Sequence, residues 1–125
     1  MKLKKFLSTM VTAATVASCL ALPASADSDS FSIKYGDVAG QCSLVAENAY
    51  YCIETTSASQ STLNCRFTYN LRSGVVTIKS FTMGRGKGSK QGMTSYSDGS
   101  TKAFQLTALV SGTSAQATGT LISVD

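Results

Sequence analysis

Between Leu63 and Leu71 an apolar or aromatic side chain takes every second position: Leu63, Cys65, Phe67, Tyr69 and Leu71, with Asn64, Arg66, Thr68 and Asn70 between them. A period of two is that of a strand with one packed face and one wet face. Arg72-Ser73-Gly74 is a turn signal. Val75, Val76, Ile78 and Phe81 then continue in the β-branched and aromatic residues that suit a pleated sheet. The pattern predicts a β-hairpin over residues 63–81.

The same alternation recurs more briefly elsewhere. Phe31, Ile33 and Tyr35 alternate with Ser32 and Lys34, which predicts a first strand after an acidic, flexible tail at 27–30. Ala39-Gly40-Gln41 reads as a turn, and 42–45 and 50–55 read as strands. Leu44, Val45, Asn48 and Tyr51 fit a short helix equally well, because runs this brief satisfy both periods. Phe104, Leu106, Ala108 and Val110 share one face of a strand, Ser111-Gly112-Thr113-Ser114 turns, and 115–124 returns, so a second hairpin is expected at the end of the chain. Gly119, inside that last strand, marks a bulge or a close contact with another backbone. Residues 82–102 break the pattern: Gly84, Gly86, Gly88, Gly92 and Gly99 stand among Arg85, Lys87, Lys90 and Lys102, and a long mobile loop is expected there. Short strands with frequent turn signals make the chain all-β, a small antiparallel β-sandwich or partly open barrel built from hairpins.

The first 26 residues follow another logic. Lys2, Lys4 and Lys5 precede an apolar run at 6–22, and Pro23 stands ahead of Ala24-Ser25-Ala26. This resembles a bacterial secretory signal peptide cleaved after Ala26, and it predicts a secreted, extracellular protein. Val16-Ala17-Ser18-Cys19 resembles a lipobox, whose alternative outcome is a membrane-anchored lipoprotein acylated on Cys19. Ser8, Thr9, Thr12, Thr15 and Ser18 interrupt the apolar run, and no later stretch is long enough, so no membrane span is expected. What remains is one domain at 31–125. The charge of 27–125 is close to balanced: three of the 11 lysines and arginines lie in the leader, leaving eight against seven carboxylates. The basic character of the whole chain is thus the leader's, and a nucleic-acid partner has no support.

An exported chain can keep disulfides. Cys42, Cys52 and Cys65 follow the leader, so at most one internal bridge forms among them. If 50–55 and 63–69 are neighbouring strands with Cys52 opposite Cys65, Tyr50 falls opposite Phe67 on one apolar face, and Cys52–Cys65 is the expected bridge. Cys42–Cys52 is the alternative. The third thiol is a small buried apolar group or an intermolecular link.

Catalytic chemistry finds little to work with. There is no histidine, which removes the usual base near neutral pH and the commonest metal ligand, and no paired CxxC. Asp37, Glu47, Glu54 and Asp98 are scattered without acid/base spacing. No enzyme activity, cofactor or metal is expected. The element that looks like a binding site is the glycine-rich loop: backbone N–H groups flanked by Arg85, Lys87 and Lys90 suit an anion, and Tyr96 suits stacking on a ligand ring or pinning the loop to the sheet. The expectation is a non-enzymatic binding or cell-surface interaction module, monomeric or homodimeric, for an acidic envelope polymer or protein surface. The alternative is a secreted antimicrobial or inhibitor-type effector.

Overall fold

The computed structural model describes residues 27–124; the expected leader, its cleavage site and the Cys19 motif lie outside the described residues. Eight strands form: β1 (Ser28–Ile33), β2 (Ala39–Ala46), β3 (Ala49–Thr55), β4 (Leu63–Leu71), β5 (Gly74–Met83), β6 (Gly88–Met93), β7 (Lys102–Val110) and β8 (Ala117–Ser123). They make two four-stranded sheets, ordered β1-β8-β3-β6 and β2-β7-β4-β5, and every pairing is antiparallel. The two sheets pack together as an antiparallel β-sandwich, the all-β class that the alternation predicts.

The β4–β5 hairpin is the one stretch in which consecutive strands stay in one sheet. Leu71 pairs with Gly74 across Arg72-Ser73, and Gly74 takes a φ of 144°, which a side chain would disfavour. Every other connection crosses from one sheet to the other. The expected closing hairpin is therefore not a hairpin: β7 lies between β2 and β4, whereas β8 lies between β1 and β3 in the opposite sheet.

Inward-facing positions follow the period of two. Ala49, Tyr51 and Ile53 of β3 and Ala117 and Leu121 of β8 meet Cys65 and Phe67 of β4 and Phe104, Leu106 and Ala108 of β7 in two buried clusters. Phe31 and Phe81 pack against both clusters and join them. Phe31 reaches this position because its neighbours are glycines. Gly119 is its direct partner in β8, Gly40 lies in β2, and a Cβ on either would overlap the ring. Gly119 thus marks a close contact, but with an aromatic ring rather than with a backbone. Gly40 belongs to β2, not to a turn.

Two further expectations are corrected. Residues 28–30 are not a tail but the start of β1, where Ser28 pairs with Ile122 and the Asp27 carbonyl accepts from the Ser123 N–H at 2.8 Å. Residues 82–102 are not one loop, because β6 lies within them as an edge strand against β3.

Neither expected disulfide is present: Cys42 and Cys65 are buried thiols that are not in a disulfide. The reason is topological. β3 and β4 are in different sheets, and Tyr50 pairs with Met93 and Ile122, not with Phe67. Cys42 and Cys65 point into the core, whereas Cys52 alternates with the core residues Tyr51 and Ile53 and so projects from the other face of its sheet. Burial pushes the Cys65 thiol up to about 12, which keeps it protonated and unreactive at ordinary pH. Folded protein treated with iodoacetamide at pH 8 without reductant is expected to leave both thiols unlabelled. The same treatment in guanidinium should label both, read by peptide mass mapping. A requirement for prior reduction would show a bridge instead.

Candidate functional site

The sandwich opens where two free edges meet. β5 is the edge of one sheet and β6 the edge of the other, and the short connection at 84–87 carries the chain between them. Between these edges lies a pocket of ≈ 180 Å³ lined by Tyr51, Phe67, Ile78, Lys79, Gln91, Gly92 and Met93. Its floor is aromatic: the rings of Tyr51 and Phe67 lie 4.7 Å apart at 45°, and Phe67 stacks in turn on Phe104 at 5.8 Å.

Two local features shape the pocket. Phe67 pairs with Lys79 and Thr68 with Thr77, so the register skips Ile78 in a β-bulge. A bulge sets two residues opposite one, and here it brings both Ile78 and Lys79 to the pocket wall above Phe67. On the other side Gly92 is the direct partner of Tyr51, and a Cβ there would stand 2.7 Å from the tyrosine ring, so only glycine lets the ring lie flat against β6. The Tyr51 hydroxyl ends against Gly92 and has no hydrogen-bond partner among the described residues. Burial, and then the neighbouring Cys65, raise its pKa above 10.0 and hold it as a neutral donor.

Charge gathers along the same edge. Arg72, Lys79, Arg85, Lys87 and Lys90 lie in 72–97, a segment without a single carboxylate. All five are exposed, and none of them pairs with a carboxylate among the described residues. Of the sequence-predicted site residues, Arg85, Lys87 and Lys90 fall together at the β5–β6 connection and the start of β6. The connection is tied down: the Gly86 N–H donates to the Ser59 carbonyl at 2.8 Å, and Thr55 Oγ1 donates to the Gly86 carbonyl at 2.6 Å. That use of the Gly86 N–H takes one donor from the backbone cradle the glycines suggest. Arg85, Lys87 and Lys90 remain exposed there.

Tyr96 lies apart from these residues. It is held beside Asn48, at the start of β3, whereas Gly86 is held beside Thr55 at the end of that strand, about 20 Å away at the rise of an extended chain. Asn48 Oδ1 accepts from the Tyr96 N–H at 2.6 Å and from Thr94 Oγ1 at 2.8 Å, and Asn48 Nδ2 donates to the Tyr96 carbonyl at 2.9 Å. The Tyr96 ring packs edge-on against Tyr69, under the Lys102 ammonium 4.5 Å from its centre. Tyr96 pins the 94–101 segment over the end of the core.

Lys102 is 7% exposed and is held by Asp98 at 3.0 Å and by the Ser100 carbonyl and hydroxyl. The Ser100 N–H, then Lys102 and the Ser100 hydroxyl, lower the Asp98 pKa from 3.8 to about 2. A carboxylate whose folded pKa is depressed stabilises above its unfolded pKa, and that stability is lost as pH falls through the folded value. The urea midpoint is therefore expected to drop between about pH 4 and pH 2 by more in the wild type than in Asp98→Asn. Equal acid sensitivity in the two proteins would refute the role of Asp98.

Sequence reasoning missed Tyr51, Lys79 and Gln91. Tyr51 and Lys79 sit in ordinary strand patterns, and only the bulge and the partner Gly92 turn them toward a common space. No protein-family model matches the chain, and none of the curated proteins compared with it does. Among solved structures, the chain is similar to the crystal structure of PirA at 12% identity and a TM-score of 0.46, over 76% of this chain and 92% of that one. It is also similar to the Yersinia pseudotuberculosis-derived mitogen at 8% identity and a TM-score of 0.45, over 80% and 86%.

Proposed function

We propose that this chain is a non-enzymatic binding module, exported by its leader, whose working surface is the basic open edge formed by β5, the 84–87 connection and β6. One observation carries the reading: five exposed cations and no carboxylate along 72–97, whereas the rest of 27–125 holds three cations against seven carboxylates. An acidic envelope polymer or an acidic protein surface complements such an edge, and long-range attraction steers it there. The absence of histidine from the sequence supports binding rather than turnover.

The protein spanning 27–125 is expected to be retained on an immobilised polyglutamate column at low ionic strength. Replacing Arg85, Lys87 and Lys90 together by Ala should abolish retention while leaving the circular dichroism spectrum and the unfolding midpoint unchanged, since all three are exposed and unpaired. Retention should also fall steeply as salt rises and the Debye length shortens from about 30 Å at 0.01 M to about 8 Å at 0.15 M. Unchanged retention of the triple variant sinks the proposal.

A further inference from the structure

We infer that the pocket between β5 and β6 binds a free small molecule made of one aromatic ring and a carboxylate, the ring set edge-on against Tyr51 and Phe67 and the carboxylate meeting Lys79. The inference deepens the reading of the basic edge as the working surface and rests on it for the sign of the ligand's charge.

Size comes first. A cavity of about 150 Å³ lined by apolar side chains accepts benzene, so ≈ 180 Å³ suits one six-membered ring with a small substituent. The lining then selects aromatic over merely apolar. Tyr51 and Phe67, tilted 45° to one another and 5% and 1% exposed, close the floor with two π-systems, so the contact left to a third ring is edge-on. Ile78 and Met93 close the sides, and Met93, 60% exposed, is a flexible thioether that adapts to the shape of a ring.

Polar groups at the pocket are few, and they converge. Lys79 is carried to the wall by the bulge at Ile78, without which alternation would hold only one of the two there. Its ammonium has no carboxylate partner among the described residues. The Tyr51 hydroxyl, which has no hydrogen-bond partner among the described residues, is a second donor at the floor. Gln91 is the direct partner of Cys52, so its carboxamide lies on the outer face of the sheet, where its Oε1 accepts from the Tyr50 hydroxyl, and it offers the pocket no donor. An ammonium and a phenol O–H are both donors, and a ligand that accepts from both is a carboxylate. A ring bearing an ammonium instead would meet Lys79 with like charge.

Benzoate titrated into ¹⁵N-labelled protein tests this, with benzyl alcohol as the uncharged ring and acetate as the ringless carboxylate. Benzoate is expected to shift the amide resonances of Tyr51, Ile78, Lys79 and Gly92 saturably. The other two should bind at least roughly tenfold more weakly, the loss that one charge-assisted hydrogen bond or one buried ring accounts for. Lys79→Gln should weaken benzoate by a similar factor and leave benzyl alcohol unchanged. Gly92→Ala should abolish binding, because its Cβ pushes the Tyr51 ring into the pocket. If that variant fails to fold, Ile78→Phe fills the same space from the β5 wall and should give the same loss. The Arg85, Lys87 and Lys90 triple variant separates the two readings. Benzoate binding that survives in it, beside lost polyglutamate retention, supports both. Polyglutamate retention by the wild type without benzoate shifts overturns this inference alone. Shifts centred on Arg85 and Lys87, or benzyl alcohol binding as tightly as benzoate, also overturn it.

Discussion

Replacing Gly119 by alanine is expected to lower the thermal unfolding midpoint by about 10 °C. The methyl group would be directed into the ring of Phe31, its partner across the β1–β8 ladder. The ring cannot simply retreat, because its opposite edge lies against Gly40 of β2, where an added Cβ would be 2.7 Å from Cε1. Overpacking of this kind costs roughly 1–3 kcal/mol, and in a domain of this size each kcal/mol is worth about 4–8 °C. Gly40→Ala is expected to behave alike. The cause is checked by a double-mutant cycle measured in urea: in a Phe31→Ala background the space is empty, and Gly119→Ala should become neutral or slightly stabilising, since alanine orders more readily than glycine in a strand. An equal loss in both backgrounds would mean that the backbone at 119, and not the ring, is what excludes a side chain.

That contact shows how far the sequence can be read and where it stops. Alternation at Leu63–Leu71 and Phe104–Val110 identifies strands and tells which residues face the core, because side-chain direction in a strand has a period of two. It carries nothing about which strand is the neighbour. Cys52 opposite Cys65 is a consistent pairing on paper and is absent from the fold, because β3 pairs with β6 and β8 while β4 pairs with β5 and β7. The one pairing legible in advance, β4 with β5, is the one whose turn is short enough to force it. Gly119 was legible as an anomaly, but its partner Phe31 lies nearly ninety positions away and no local rule points to it.

The proposed binding surface divides in the same way. Arg85, Lys87 and Lys90 are close in sequence and remain close in the fold, so a charge count finds them. Glycine density in 82–102 is misleading, because Gly88 and Gly92 belong to β6, and Gly92 serves a tyrosine ring rather than a turn. The pocket is a product of pairing. It needs Gly92 beside Tyr51, Phe67 beneath a bulge, and two edges left uncovered, and none of these is a property of a single stretch. Lys79 on β5 has a second physical role at such an edge, since an inward-pointing charge on an edge strand discourages edge-to-edge aggregation. Both roles follow from the same bulge, and loss of the lysine should therefore weaken an anionic ligand and also shorten the soluble lifetime of the domain.

Phe67→Ala is expected to cost the most, about 3–5 kcal/mol, out of a total stability of roughly 5–15 kcal/mol for a single domain. Phe67 is 1% exposed and stands where the sheets meet: its ring is 4.7 Å from Tyr51 and 5.8 Å from Phe104, and its direct cross-strand partner in β7 is Leu106. Truncation removes two ring contacts as well as the buried area. The loss should lie near the lower end of the range, because the space left behind opens into the existing pocket and can take water instead of standing empty. Urea unfolding at 25 °C measures it, and a loss below about 1 kcal/mol would show that Tyr51 or Phe104 collapses into the gap. Phe67→Leu distinguishes stability from binding. It keeps most of the buried volume, so the fold should persist, but it removes one ring of the aromatic floor. Benzoate should then bind more weakly while polyglutamate retention, carried by Arg85, Lys87 and Lys90 on the connection and the β6 edge, is undiminished.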